Sequence, residues 1–189
     1  PTSGNIFLGD TPLQDYDMTS WRHSCGVVLQ DSHVFSESLA RNIAVEDKHI
    51  DRTRLRTAAR QANLEEFIEK LPLKYQTMVG AEGVGLSRGQ EQRIFIARAL
   101  YKDPSFVFLD EATNSLDANN ERIITGNLLD FCKGRTVLIV AHRLSTIRHA
   151  DKIVVLHKGR IVEEGTHDEL CARHGYYYEL INNQLIAMG

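Results

Sequence analysis

The stretch "FVFLDEATNSLD", residues 106–117, carries four apolar residues into two adjacent carboxylates, Asp110 and Glu111. A polar turn then leads to a third, Asp117. A short Phe/Val/Leu run bounded by polar residues predicts a buried strand. Like charges side by side at its end repel unless solvent or a counter-charge separates them. Two readings stay open on these residues alone. Either the strand runs out into solvent, or a divalent cation and a phosphate sit at its end. In the second case one carboxylate holds the ion and its neighbour accepts a proton from an attacking water.

The flanking sequence says what kind of strand this is. Downstream, "ANNERIITGNLLDFC" has helical spacing, "TVLIVAH" reads as another buried strand, and "STIRHA" as a short helix. "KIVVLHKGRIVEE" is a hairpin turning at Lys158-Gly159, and Thr166 with Glu169 forms a capping box before a last helical stretch. Upstream, "GNIFLGDTPL" is a short strand with a turn at Gly9-Asp10, and "CGVVLQD" a buried strand ending at Gln30. Buried strands alternating with helices predict an α/β domain with a largely parallel sheet. The carboxyl ends of such strands face the crevice where ligands bind, which is where Asp110 and Glu111 would lie.

Between these strands the pattern turns helical. "RTRLRTAARQANLEEFIEKLP" places Leu55, Ala58, Ala59, Ala62, Phe67 and Ile68 at helical spacing and predicts one helix ended by Pro72. A glycine-rich loop, "VGAEGVGLSRGQ", follows. Ser87 and Gln90 have capping-box spacing, so the helix "EQRIFIARALYKD" starts just after Ser87. A helix N-terminus with Gly89 beside hydroxyl and amide side chains is a ready anion site, although a capped helix after a loop needs no ligand.

Composition narrows the function classes. The 189 residues are 42% hydrophobic and 25% charged, as in a soluble globular domain. A net charge of −3 gives no support to a nucleic-acid surface. The three cysteines, Cys25, Cys132 and Cys171, are far apart and form no C-x-x-C, which points to a reducing compartment and no structural zinc. The longest apolar run, Val137 to Ala141, is too short to span a bilayer.

Taken in order, Gln30, "LSRGQ", "FVFLDEATNSLD" and "LIVAHRLSTIRHADKIVVLHKGRIVEEGTHDEL" closely resemble the nucleotide-binding domain of ABC transporters. The resemblance covers essentially the whole chain. "FSESLARNI" and "AHRLSTIRHAD" are most similar to the exporter branch, where each ATPase domain follows a membrane domain in one polypeptide. The resemblance implies a P-loop NTPase-like α/β fold, with a core of about residues 1–34 and 102–189 and a helical subdomain of about 35–101. It also implies ATP with Mg²⁺ as substrate. Gln30 matches the Q-loop glutamine, Asp110 and Glu111 the Walker B pair, Asp117 the D-loop and His142 the switch histidine. By that implication Asp110 and Gln30 hold Mg²⁺, Glu111 polarises the water and His142 contacts the γ-phosphate. Ser87, Gly89 and Gln90 meet the γ-phosphate bound by a second nucleotide-binding domain in a head-to-tail dimer. The other partner implied is a transmembrane domain, at the cytoplasmic face of the membrane.

The sequence departs from the family pattern twice. Arg88 stands where the signature usually has Gly, while Gly89 keeps the position whose backbone approaches phosphate. No G-x-x-x-x-G-K-[ST] occurs, and no Gly is followed by Lys. The expectation is a domain without its amino-terminal strands and P-loop, inactive alone, whose ATPase activity belongs to an intact parent. Two alternatives remain. One is a non-catalytic interaction module with this fold, disfavoured by Glu111 and His142. The other is a DNA-repair or chromosome-organising ATPase, disfavoured by the compact insert between Gln30 and Ser87 and by the net charge.

Overall fold

Gly9, at φ +60°, reverses the chain between β1 (Phe7–Leu8) and β2 (Thr11–Pro12), an antiparallel pair of two residues each. The computed structural model describes residues 1–141 and 144–187. Helix α1 (Met18–Ser24) is capped by Asp17, whose carboxylate accepts from the Ser20 N–H at 2.8 Å. It leads into β3 (Cys25–Val28), followed by α2 (Leu39–Ile43), α3 (Arg52–Gln61), α4 (Glu65–Glu69) and α5 (Arg88–Lys102). Strand β4 (Phe106–Asp110), α6 (Ala118–Cys132) and β5 (Thr136–Val140) come next. The chain then forms α7 (Leu144–Ile147), β6 (Ile153–His157), β7 (Arg160–Gly165), α8 (His167–Ala172) and α9 (Tyr176–Ala187). It divides into two units, Pro1–Leu138 and Ile139–Gly189.

In the first unit β3 and β4 pair in parallel, Cys25 opposite Phe106 and Val28 opposite Leu109, with β4 central in the order β3-β4-β5. Trp21 of α1 lies 4.9 Å from the Phe106 ring and 6.5 Å from Phe108, pinning that helix to the sheet. A side chain at Gly26 would stand 2.5 Å from Cγ of Pro104, so only glycine lets β3 pass the turn that leads into β4.

Helix α5 is the hub of this unit and packs against α2, α3 and β3. Ile94 and Ile96 are fully buried in it, and Leu39, Ile43, Ala59 and Ile68 are equally buried in the helices before it. Each large aliphatic side chain sheltered this way contributes roughly 1.5–3 kcal/mol relative to exposure. Its start matches the sequence reading. Ser87 Oγ accepts from the Gln90 N–H at 3.3 Å while Gln90 Oε1 accepts from the Ser87 N–H at 2.8 Å.

The helical stretch predicted across residues 52–72 is two helices. Asn63 adopts a left-handed backbone, φ +54°, and the Leu64 N–H reaches back to the Ala59 carbonyl at 2.8 Å. This is a helix stop with Asn in the position usually taken by glycine and a buried leucine after it. Apolar periodicity runs straight through the stop because Leu64 and Ile68 are buried like Leu55, Ala58 and Ala59 of α3.

The second unit is built on the β6–β7 hairpin. Lys158 and Gly159 both have positive φ, the twist that suits a two-residue hairpin turn. Ile153, Val155, Leu170, Tyr177 and Ile181 form its core. Thr166 and Glu169 cap α8 reciprocally, and a Glu163 carboxylate oxygen accepts from the Tyr177 N–H at 2.7 Å near the start of α9. Cys25, Cys132 and Cys171 are free thiols. Among the described residues no helix is long and apolar enough to cross a membrane.

Candidate functional site

Parallel pairing of β3 with β4 brings two strand ends to the same edge of the sheet. Since Val28 pairs with Leu109, the last residue of β4, Asp110, and the turn holding Gln30, which starts just beyond β3, lie at the carboxyl ends of neighbouring strands. Gln30 is exposed in a turn that Ser32 closes, its N–H donating to the Leu29 carbonyl and its Oγ accepting from the Leu29 N–H, both at 3.3 Å. Asp110 and Glu111 are half-buried, so the pair sits in a rim and not free in solvent.

Glu111 carries a feature that the sequence did not signal. Its backbone is left-handed at φ +50°, uncommon for a residue with a Cβ and a conformation that costs free energy. The loop that follows holds it there. Asn114 donates its N–H to the Glu111 carbonyl at 3.1 Å and its side-chain amide to Glu111 Oε2 at 2.6 Å. Gln92, buried in α5, donates its amide to the Ala112 carbonyl at 2.8 Å. The carboxylate is therefore aimed by its turn and by a helix that begins at Ser87.

The same loop meets the start of α5. A Cβ on Gly89 would lie 3.3 Å from the Ser115 carbonyl oxygen, so any larger residue there would press that loop by a few tenths of an ångström. Arg93, one turn further along, donates to the Gly89 carbonyl at 3.2 Å and to the Asn63 carbonyl at 2.6 Å. Asn63 in turn donates to the Asn120 side chain at 2.7 Å. Asn63, Gln92, Arg93, Asn114 and Asn120 thus join the helical segment to the Asp110–Asp117 loop. No local pattern marks Asn63, Gln92 or Arg93, because each acts through a partner distant in sequence.

Asp117 is the N-cap of α6 and accepts from the N–H groups of Asn119 and Asn120 at 3.2 and 3.0 Å and from the Asn120 side chain. The Asn120 side chain, then its backbone N–H, holds the Asp117 carboxyl below its ordinary 3.8. A lowered native pKa means the charged cap stabilises the fold above the unfolded value, and that contribution is lost as pH falls through the native one. In Asn120→Ala the Asp117 carboxyl should titrate closer to 3.8 when followed by NMR. An unchanged titration would contradict this assignment of the shift. His142 lies outside the described residues.

The structure thus brings Gln30 to the sheet edge where Asp110 and Glu111 emerge, and the Ser87–Gln90 turn against the loop that ends at Asp117. A family model for ABC transporters matches residues 1–114, more than half of the chain. The chain belongs to the ABC transporter family. It is 46% identical over 95% of its length to an ATP-dependent lipid A-core flippase of Chromohalobacter salexigens, of which it covers 31%. It is 41% identical over 97% of its length to P-glycoprotein 14 of Caenorhabditis elegans, covering 14% of that protein. A bacterial Atm1-family ABC exporter solved with ATP bound superposes with a TM-score of 0.92 and 38% identity. That match covers 97% of this chain and 32% of the exporter chain. The chain therefore has the ABC ATPase fold, of P-loop NTPase type, and spans about a third of the flippase and of the exporter it matches.

Proposed function

We propose that this chain works as part of the ATP-hydrolysing domain of an ABC exporter, in which residues 35–101 form a helical subdomain. The observation that supports this reading is the parallel β3–β4 pairing, which brings together the carboxyl ends of the strands that lead to Gln30 and to Asp110 and Glu111. Those donors fit the magnesium of a MgATP substrate. Among the described residues no group of three or more His, Cys, Asp or Glu is placed to hold a metal. Magnesium instead keeps several waters and takes one or two protein oxygens, here the Asp110 carboxylate and the Gln30 amide oxygen. Bound there, the ion would neutralise charge on the phosphates.

The chain's own residues then divide the remaining work. Glu111, held by Asn114, accepts the proton of the attacking water. His142 donates to the γ-phosphate. Ser87, Gly89 and Gln90 present a capped helix N-terminus, which favours an anion through its free N–H groups, to the γ-phosphate bound by a second copy. Asp117 stands at that interface. The P-loop comes from outside these 189 residues, since no Gly-Lys pair occurs among them.

The membrane-embedded part is the second partner, placing this domain at the cytoplasmic face. A cleft of about 560 Å³ within the first unit mixes apolar and charged walls, among them Val27, Val45, Arg22, Arg98, Tyr101 and Lys102. The test of the functional reading is MgATP hydrolysis by the membrane-embedded protein, with and without the Glu111 carboxylate. Hydrolysis that does not depend on Glu111 would overturn it.

A further inference from the structure

We propose that Arg98 is a positioning residue for Gln30. About three turns along α5 from Ser87, it fixes the path of residues 33–35 and hence where the Gln30 turn is presented. Its guanidinium donates to the Asn42 carbonyl at 2.8 Å and to the His33 carbonyl at 3.4 Å. It also lies 5.1 Å from the centre of the Phe35 ring and 5.4 Å from that of Phe95. Among the described residues no carboxylate pairs with it, and burial holds its pKa below the ordinary arginine value. A half-buried cation without an ion pair is costly, and two carbonyls and two rings are what offset it here.

Other ties to the clamped segment gather at Phe35, whose carbonyl accepts from the Glu37 N–H at 2.7 Å and packs against Gly80. His33 and Phe35 are both exposed, and their rings meet edge to face at 5.1 Å. Phe35 is fixed from the other side by Asn42, whose Oδ1 accepts the Phe35 N–H at 2.8 Å and whose amide donates to the Phe35 carbonyl at 3.0 Å. Arg98 holds the carbonyl of that same Asn42, so Asn42 and Arg98 grip residues 33–35 between them. The strand ends at Val28, and only the Leu29–Ser32 turn separates it from this grip. A planar fork that reaches two carbonyls while stacking on a ring suits arginine and not lysine.

The first measurement is amide hydrogen exchange on the 189-residue chain and does not depend on any activity. In Arg98→Met, which keeps an apolar stem, exchange at Ser32 and Phe35 should accelerate roughly tenfold, with a smaller gain in Arg98→Lys. The β6–β7 amides should be unchanged. Ile124→Val, a core trim in α6, serves as a control for general loss of stability and should leave residues 30–36 as they were. Unchanged exchange in Arg98→Met, or acceleration equally spread over all elements, would overturn the clamp.

The second measurement rests on the ATPase reading and uses the membrane-embedded protein. Arg98→Met should lower kcat roughly tenfold with KM for MgATP within about twofold. Combined with Gln30→Ala, the loss should be smaller than the product of the two single losses, because both act through the same side chain. Multiplicative losses would overturn the positioning role. A wild-type protein that does not hydrolyse MgATP would defeat the ATPase reading, while the exchange data would still decide the clamp.

Discussion

Glu111→Gln lowers MgATP turnover by about two to four orders of magnitude and leaves MgATP binding intact, if Glu111 accepts the proton of the attacking water. The substitution is informative because it keeps nearly everything else. The amide has the shape of the carboxylate, and its oxygen still accepts from the Asn114 side chain that now lies 2.6 Å from Glu111 Oε2. The left-handed backbone at φ +50° is no harder for glutamine than for glutamate. Only the basicity goes. Phosphate release and nucleotide retention, measured on the same membrane-embedded preparation, separate the two effects. Turnover near wild type would show that another group takes the proton.

The second large effect concerns stability and can be read on this chain alone. Asn42 is fully buried, and its side chain makes four hydrogen bonds to backbone. Oδ1 accepts from Phe35 N–H, and Nδ2 donates to the carbonyls of Phe35, Glu37 and Ser38 at 3.0, 3.3 and 3.2 Å. Leucine would match its size and leave those groups without that partner. The Phe35 N–H loses its acceptor, while the carbonyls of Phe35, Glu37 and Ser38 keep the N–H groups of Glu37, Val79 and Asn42 as donors. We expect Asn42→Leu to cost roughly 2–4 kcal/mol in urea unfolding, more than a typical single substitution. A cost below about 1 kcal/mol would mean that water replaces the amide freely.

How far the sequence carries this structure depends on the range of each interaction. The strands at 25–28 and 106–110 and the helix at 118–132 are written in local apolar runs, so they are legible. So are the caps at Ser87 and Thr166, where a side chain and its partner stand three residues apart. The α3–α4 break was not legible. Its signal is one asparagine, and buried apolar residues continue on both sides of it.

The site divides along the same line. Gln30, Ser87, Gly89, Gln90, Asp110, Glu111, Asp117 and His142 stood out because their order and spacing match a known pattern, as chemistry at a shared ligand requires. The residues that aim them did not. Gln92 reaches Ala112, Arg93 reaches Asn63, and Arg98 reaches His33, each across twenty or more positions. Such pairings exist only once the fold has formed. The strained Glu111 backbone is of the same kind, since it is the closed loop and not the residue that favours positive φ.

In this proposal these residues supply the water-activating carboxylate, the magnesium ligands and the signature helix, while the phosphate cradle lies elsewhere. Calorimetric titration of the 189-residue chain with MgATP tests this most directly. No saturable heat is expected, because an aspartate, an amide and an exposed helix start do not replace a glycine-rich loop with its lysine. Saturable binding of one MgATP per chain would contradict it, and would mean that a phosphate cradle lies within these residues.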